Sequence, residues 1–334
     1  MSSQRLLVTG AAGFIGSNFV RHRLTRHPTD HIVGLDLLTY AGDPRNLDGV
    51  DVRLVEGDIG NLELVEQILA EENIDVVVNF AAESHNSLAV LDPGRFFRTN
   101  VLGTQELLEA GRRHGIARFH HVSTCEVYGD LPLDSGESFT EESPYRPRTP
   151  YNASKAAADH AVRAYFETFD LPITITNCCN NYGPRQFPEK VIPLFLTNAL
   201  DDHELPLYAS TQNRREWLHV DDHCRAIDLV LEQGRVGETY NVGSGVERSI
   251  EQIADLVLDL TGKRESLKVI VPDRPGHDRS YLLNSSKIRG ELGWTPDVAF
   301  DDGLRGVAEW YAANRSWWEP LKERAPVAET NAWR

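Results

Sequence analysis

Sulfur is scarce in this chain. Its 334 residues include one Met and four Cys, at Cys125, Cys178, Cys179 and Cys224. No two of them form a CxxC pair and the histidines are scattered. The sequence therefore suggests neither a zinc site nor a disulfide framework, and no metal is expected. Free thiols fit a reducing, cytoplasmic compartment. Long apolar runs are missing too: nowhere do about 18 apolar residues follow one another, as a membrane-spanning helix requires. The opening MSSQRLLVTG enters a strand pattern at once and lacks the regions of a signal peptide. Positive charge is in deficit, with 34 Lys and Arg against 50 Asp and Glu and a net charge of −16. That excludes a general affinity for nucleic acid or for anionic membranes. It leaves room for one anionic ligand held by a local cluster of Arg, and elsewhere the acidity serves solubility. No internal repeat and no low-complexity tract occurs. What remains, 41% hydrophobic and 25% charged residues, is an ordinary globular composition with chain enough for a sizeable core.

The first half alternates strands and helices. Apolar strand patterns cover residues 5–9, 31–35, 52–56, 76–80 and 119–123, with helical spacing over 17–25, 61–72 and 98–114 between them. Such βαβ repetition predicts an α/β fold, a Rossmann-type doubly wound parallel sheet with ligands at the carboxyl ends of the strands. Residues 129–150, rich in Pro, Asp, Glu and Ser, read as a long loop over the site. A helix is expected over 151–168 and a strand over 173–177. Beyond Pro184 the rhythm loosens, with helices expected over 191–200, 249–261, 285–292 and a last one over 300–314, and strands at 205–208, 214–220, 239–242 and 268–271. This predicts a Rossmann domain over residues 1–183 and a smaller mixed α/β substrate lobe over 184–334. Residues 216–243, with the Trp217 strand and the helix to Leu231, are expected to return to the first domain.

Two features carry chemistry. The first strand runs into Gly10-Ala-Ala-Gly13-Phe14-Ile15-Gly16 and then a helix. Glycines here permit a tight turn, let the backbone approach a pyrophosphate and let the helix pack closely, so that its N-terminus faces the anion. The next strand ends in Asp36, whose carboxylate can bind a ribose 2′-hydroxyl and repels a 2′-phosphate, which favours NAD over NADP. Asp58 and Ile59 could meet an adenine, the small Ala81 and Ala82 would let backbone lie against the cofactor, and Asn100 stands near the start of a helix. The second feature is Ser123-Thr124-Cys125-Glu126 followed by Tyr151 and Lys155. Tyr and Lys four apart share a helix face. An ammonium there can lower the phenol's pKa, and the phenol can then take a hydroxyl proton as hydride leaves the same carbon, with Thr124 hydrogen-bonded to that hydroxyl.

These motifs resemble those of the extended short-chain dehydrogenase/reductases, and most closely the dTDP-glucose 4,6-dehydratases. GAAGFIGSNF, LDLLTYAG, FAAESH, HVSTCEVYG, PYNASKAAAD, NCCNNYGP, FPEKVIPLF, REWLHVDDHC and RPGHDRSY stand in that family's order over about residues 5 to 320. The resemblance implies a tightly bound NAD and a nucleotide-sugar substrate, a dTDP-hexose or a UDP-hexose. It implies that Tyr151 deprotonates O4 as C4 is oxidised, that Glu126 removes the C5 proton, and that its neighbour protonates the departing C6 hydroxyl. Hydride return to C6 then yields a 4-keto-6-deoxy sugar. It adds Phe14, Ile15, Leu38, Thr39, Ser84, Ser123 and Asn180 to the cofactor-binding set. On the substrate side it implies Ser84, His85, Thr124, Asn181, Lys190, Leu205, Pro206, Tyr208, Arg215, Asn241, Arg274, His277 and Tyr281, and it implies a homodimer through helices at about 100–114 and 151–168.

The chain departs from the family pattern at three places. Cys125 stands where the family has Asp as proton donor. Asn86-Ser87-Leu88-Ala89 replaces Val-Asp-Arg-Ser in a loop that faces the hexose, and Arg185 replaces an aromatic. A Cys-Glu pair also resembles nucleotide-sugar 5,6-dehydratases, which return hydride to C4 and leave an exocyclic glycal. A non-catalytic NAD-bound relative is the third reading.

Overall fold

The computed structural model describes residues 3–324. The two terminal stretches, which include the expected limits of the two lobes at residues 1 and 334, lie outside that range. The chain opens with β1 (Arg5–Thr9), α1 (Phe14–Arg26), β2 (His31–Asp36), β3 (Arg53–Glu56), α2 (Leu62–Glu71) and β4 (Val76–Asn79). Two short helices follow, α3 (Asn86–Leu91) and α4 (Pro93–Phe97), then α5 (Thr104–His114), β5 (Arg118–Thr124), α6 (Pro150–Phe169) and β6 (Ile173–Cys178). The remainder runs β7 (Asn180–Tyr182), α7 (Val191–Leu200), β8 (Leu205–Tyr208), β9 (Arg214–His219), α8 (Val220–Gln233), β10 (Thr239–Val242) and β11 (Glu247–Ser249). It ends with α9 (Ile250–Thr261), β12 (Lys268–Val271), α10 (Ser286–Leu292), α11 (Phe300–Ala313) and α12 (Arg315–Arg324).

Seven strands form one parallel sheet in the order β10-β6-β5-β4-β1-β2-β3. The order reverses beside β1, the switch point at which doubly wound sheets bind ligands. Apolar runs such as Leu6-Leu7-Val8 and Val76-Val77-Val78 are buried because helices cover both faces of the sheet. On one face α2, α5 and α6 contribute Val65, Leu69, Leu107, Leu108 and Val162 to the core. On the other, α1 and α8 contribute Phe19, Val20, Val220, Cys224 and Ile227. The smaller lobe holds a three-stranded sheet, β11-β9-β7, and the pair β12-β8. Its own core joins Phe195, Leu196, Trp217, Ile253, Leu304, Tyr311 and Trp318.

Local chemistry sets the ends of the elements. Thr149 caps α6, its hydroxyl accepting from the Asn152 amide, with Pro150 in the first turn where a missing N–H is harmless. Ser249 and Gln252 make a reciprocal capping box on α9. Gly115 ends α5 at a φ of 74°.

The structure corrects several expectations. The Trp217 strand does not return to the large sheet: β9 pairs with β7 and β11, whereas α8 and β10 rejoin the first lobe. Residues 98–103 form a π-helical stretch rather than the first turns of an α-helix. Nor is α11 the last helix, since α12 follows with Pro320 inside it. A proline there cannot donate to the Ser316 carbonyl, and Arg45 donates to Ser316 O and Trp317 O instead.

Candidate active site

A cleft opens at the carboxyl ends of β1, β2, β4, β5 and β6. Its floor is the glycine turn. Gly10 has a φ of +63°, and a Cβ there would lie 2.9 Å from the Ala81 nitrogen. At Gly16 a Cβ would lie 2.2 Å from the Gly10 carbonyl oxygen. Only glycine lets the turn, the β4 end and α1 close up this far. Gly13 caps α1 without a side chain, and no acidic residue stands in the first turn, so the helix N-terminus keeps its amides for an anion. Asp36 accepts from the Ala12 amide at 2.9 Å and from the Leu38 amide at 2.9 Å, so both carboxylate oxygens are held at the cleft edge. Burial raises its pKa, and backbone hydrogen bonds from Leu38, Ala12 and Gly13 oppose that rise. These features fit a dinucleotide: bare amides for the pyrophosphate and a fixed carboxylate for a ribose hydroxyl.

Most of the expected cofactor residues line this cleft: Gly10, Gly13, Phe14, Ile15, Gly16, Asp36, Thr39, Asp58, Ile59, Ala81, Ala82, Ser84, Ser123, Tyr151, Lys155 and Asn180. Two do not. Leu38 acts through its amide on Asp36, while Leu37 and Thr39 line the wall. Asn100 is buried behind it. Its side chain accepts from the Glu83 amide and donates to the Glu83 carbonyl and to Ser154 Oγ, which fixes the turn after β4.

Thr124, Cys125, Glu126, Tyr151 and Lys155 meet at the far end of the same cleft. β5 delivers the first three on a single tight turn, closed when Thr124 Oγ1 accepts from the Glu126 amide at 3.2 Å. Glu126 in turn accepts from Asn86 Nδ2 at 3.0 Å, and Asn86 accepts from Thr149. The sequence had marked Asn86 only as a departure from a pattern, and nothing local in the chain shows that it anchors Glu126, which lies forty residues away. Cys125 is 1% exposed. Burial and the neighbouring Glu126 push its thiol well above the ordinary range, so it stays protonated.

The expected lowering of the Tyr151 pKa by Lys155 is absent. Burial, with the Glu126 charge adding to it, pushes the phenol well up, and Thr124 opposes the rise. The Lys155 ammonium is engaged below the tyrosine, donating to Val122 O at 2.8 Å and to His121 Nε2 at 3.2 Å. Burial lowers its pKa and the buried Asp159 opposes that. His121 and Asp159 carried no signal in the sequence beyond their type, yet they surround this lysine.

The expected substrate residues fall into two sets. Ser84, Thr124, Asn181 and Lys190 line the cleft. Lys190 donates to Ser84 O at 2.9 Å, and Asn181 accepts from His223 Nδ1 at 2.9 Å. His85 lies beside them, its pKa lowered to about 3 by burial and by the charges of Lys190 and Arg274. Arg215, Arg274, His277 and Tyr281 gather on the other side. The Arg215 guanidinium sits over the Tyr281 ring at 4.8 Å, and Tyr281 donates to Asn180 at 2.6 Å. Arg274 Nη1 is buried and has no hydrogen-bond partner among the described residues, an arrangement suited to an anion. Tyr208 packs edge-on against His277 at 5.1 Å.

Two assignments are corrected. Leu205 faces the small lobe's core, because strand alternation sends Leu205 and Leu207 inward and leaves Pro206 and Tyr208 on the other face. Asn241 belongs to the sheet: it accepts from Tyr128 and donates to the Phe139 carbonyl, and it is fully buried. Arg185, at a φ of 68°, stacks on Trp310. The cleft also gains Gln186, Phe187 and Glu189, and Glu189 accepts from Tyr40.

Comparison with known proteins agrees with this geometry. The family described as GDP-mannose 4,6 dehydratase matches residues 7–307. A dTDP-glucose 4,6-dehydratase of Streptomyces antibioticus is 50% identical over 325 residues, 96% of each chain. The structure of DesIV, a dTDP-glucose 4,6-dehydratase from Streptomyces venezuelae solved with NAD and TYD bound, superposes with a TM-score of 0.92 at 49% identity, covering 95% of this chain and all of that one. The Bacillus anthracis dTDP-glucose 4,6-dehydratase in complex with NAD gives 0.89 at 44% identity, covering 96% of this chain and 100% of that one.

Proposed function

The chain belongs to the GDP-mannose 4,6 dehydratase family, and from that premise we propose that it is an NAD-dependent dTDP-glucose 4,6-dehydratase. The observation that carries the reading is the convergence of Thr124, Cys125, Glu126, Tyr151 and Lys155 on one cleft with the glycine turn. The glycine turn, Asp36 and Lys155 would hold NAD, which would supply a hydride acceptor for C4 and the hydride returned to C6. Tyr151 takes the O4 proton, with Thr124 orienting that hydroxyl. The resulting 4-ketone acidifies C5, and Glu126, aimed by Asn86, removes the C5 proton. Cys125 faces the departing C6 hydroxyl as a thiol. Arg215 and Arg274 hold the pyrophosphate.

Incubating the protein with dTDP-glucose in deuterated water tests this by NMR. A 4-keto-6-deoxy product with deuterium at C5 is expected. A 5,6-ene with hydride back at C4 would replace this reading with a 5,6-dehydratase, and retention of NAD without turnover of any hexose would make the protein non-catalytic.

We further propose that residues 1–183 with α8 and β10 act as the cofactor lobe, and the rest of 184–334 as the nucleotide-sugar lobe. Phe97, Leu102 and Phe169, which are 41%, 58% and 49% exposed, lie at the end of α4, in the π-helical stretch before α5 and at the end of α6, and fit a homodimer face. No helix among the described residues is long and apolar enough to cross a membrane, and we propose a cytoplasmic protein.

A further inference from the structure

Away from the cleft, at the far end of α1, two helices bring a cluster of donor atoms together. His22 and His27 come from the last turns of α1 and its cap, and Asp228 and Glu232 from one face of α8. His22 lies about 14 Å along the helix axis from the glycine turn, so the cluster is separate from the cleft. We propose that His27, Asp228 and Glu232 form a site for one divalent transition metal, zinc in the first place, that staples α1 to α8, with His22 at its edge.

Geometry carries the proposal. His27 Nε2 lies 3.0 Å from Glu232 Oε1 and 3.4 Å from Asp228 Oδ2, and His22 Nε2 lies 3.5 Å from that same Asp228 oxygen. Zinc holds N and O ligands at about 2.0–2.2 Å in a tetrahedron, which sets neighbouring donors roughly 3.3–3.5 Å apart. The separations of His27 Nε2 from Glu232 Oε1 and from Asp228 Oδ2 are near that edge, and ligand atoms of His27, Asp228 and Glu232 all lie within 4.8 Å of one another. Across none of these gaps does a hydrogen bond form. His22 Nε2, His27 Nε2, Asp228 Oδ2 and Glu232 Oε1 are all buried and without a hydrogen-bond partner among the described residues. A donor and an acceptor 3.0 Å apart would bond if the N–H pointed at the oxygen.

The surroundings suit a metal. Asp228 is fully buried and uses its other oxygen, Oδ1, to accept from Arg23 Nη1 at 2.5 Å. Arg23 Nε is engaged by Asp30 at 2.7 Å. The ligating carboxylate is thus oriented from behind, as outer-shell partners orient metal ligands. The facing charges are Arg23 and Arg26 against Asp30, Asp228 and Glu232, with Arg23 shared between Asp30 and Asp228. That leaves net negative charge at the centre. An imidazole beside two carboxylates favours zinc, nickel or copper over magnesium or calcium. His22 and His27, at 19% and 15% side-chain exposure, leave an entry path.

The test uses the purified full-length protein, stripped with a chelator and dialysed against zinc chloride. One zinc per chain is expected by elemental analysis. Its binding should raise Tm by roughly 5 °C at a hundredfold excess over Kd. Both effects should be lost in His27→Gln and in Glu232→Gln, and kept in His114→Gln, which changes an exposed histidine on α5. A native protein that takes up no stoichiometric zinc, or zinc that persists in both cluster variants, overturns the proposal.

Discussion

Cys125 shows how one side chain sets a barrier. Its thiol is sealed from water and faces the Glu126 charge, and both effects hold the proton on sulfur. A donor whose proton is bound this tightly helps a leaving hydroxyl less than a carboxylic acid would. A carboxyl at the same place would also be raised by burial and by Glu126, hence protonated and ready to donate. Cys125→Asp should therefore speed formation of the 4-keto-6-deoxy product by roughly tenfold or more, since a positioned general acid contributes about 10²–10⁴. Product NMR over time measures it, and a fall in rate would show that sulfur has another task there. At this scale the sequence was informative where residue type and spacing carry the role, as with Tyr151 and Lys155. It failed at Asn86, His121 and Asp159, whose roles come from neighbours brought together only by folding.

Among the elements, the long periodic helices and buried strands were legible, and β10 and α9 begin and end within a residue of their apolar patterns. What was missed depends on partners. Alternation around Trp217 shows a strand but not which sheet takes it, because pairing is non-local. β7 has three residues, too few for a period. The π-helical stretch at 98–103 looked like ordinary helix, since its departure lies in backbone hydrogen bonding rather than in residue type. That stretch has a use. It places Asn100 under the Glu83 turn, where its side chain makes three hydrogen bonds. Asn100→Ala leaves those buried groups unpaired at about 1–3 kcal/mol each. The turn after β4 should loosen, and less NAD should copurify with the protein. Absorbance of the released cofactor per chain checks this, and full retention of NAD would contradict it.

For the molecule as a whole, acid is the weak side. Burial holds His120 and His223 at about 3, and His121 well below its ordinary range. The unfolded chain protonates each near 6.5, so below that pH it binds more protons than the native state. Stability then falls with falling pH, by about 1.4 kcal/mol per pH unit for each such histidine. Glu216 and Asp278 work the other way: burial raises them to about 7 and about 6, which favours the native state as pH drops from 7 towards 4. With more such histidines than strongly raised acids, the urea midpoint should drop between pH 7 and pH 5.5. A flat or rising midpoint would refute the balance. The proposed dimer face makes a second prediction at this scale. Leu102→Glu buries a charge there and should convert dimer to monomer in light scattering. An unchanged mass would place the interface elsewhere.

The path of the chain between the two sheets also bears on how such an enzyme can change. β9 belongs to the small sheet, yet α8 begins at the very next residue and packs beneath the large one, before β10 joins the large sheet's edge. The lobes are therefore not cassettes. A chimera spliced at residue 183 would hand its new partner a sheet lacking both its edge strand and a covering helix. Recombination could exchange the sugar-binding half only by trading several separate segments at once. Preference among sugars in this architecture should drift by single substitutions around the cleft, at positions such as Asn86 and Cys125, and not by the shuffling of parts.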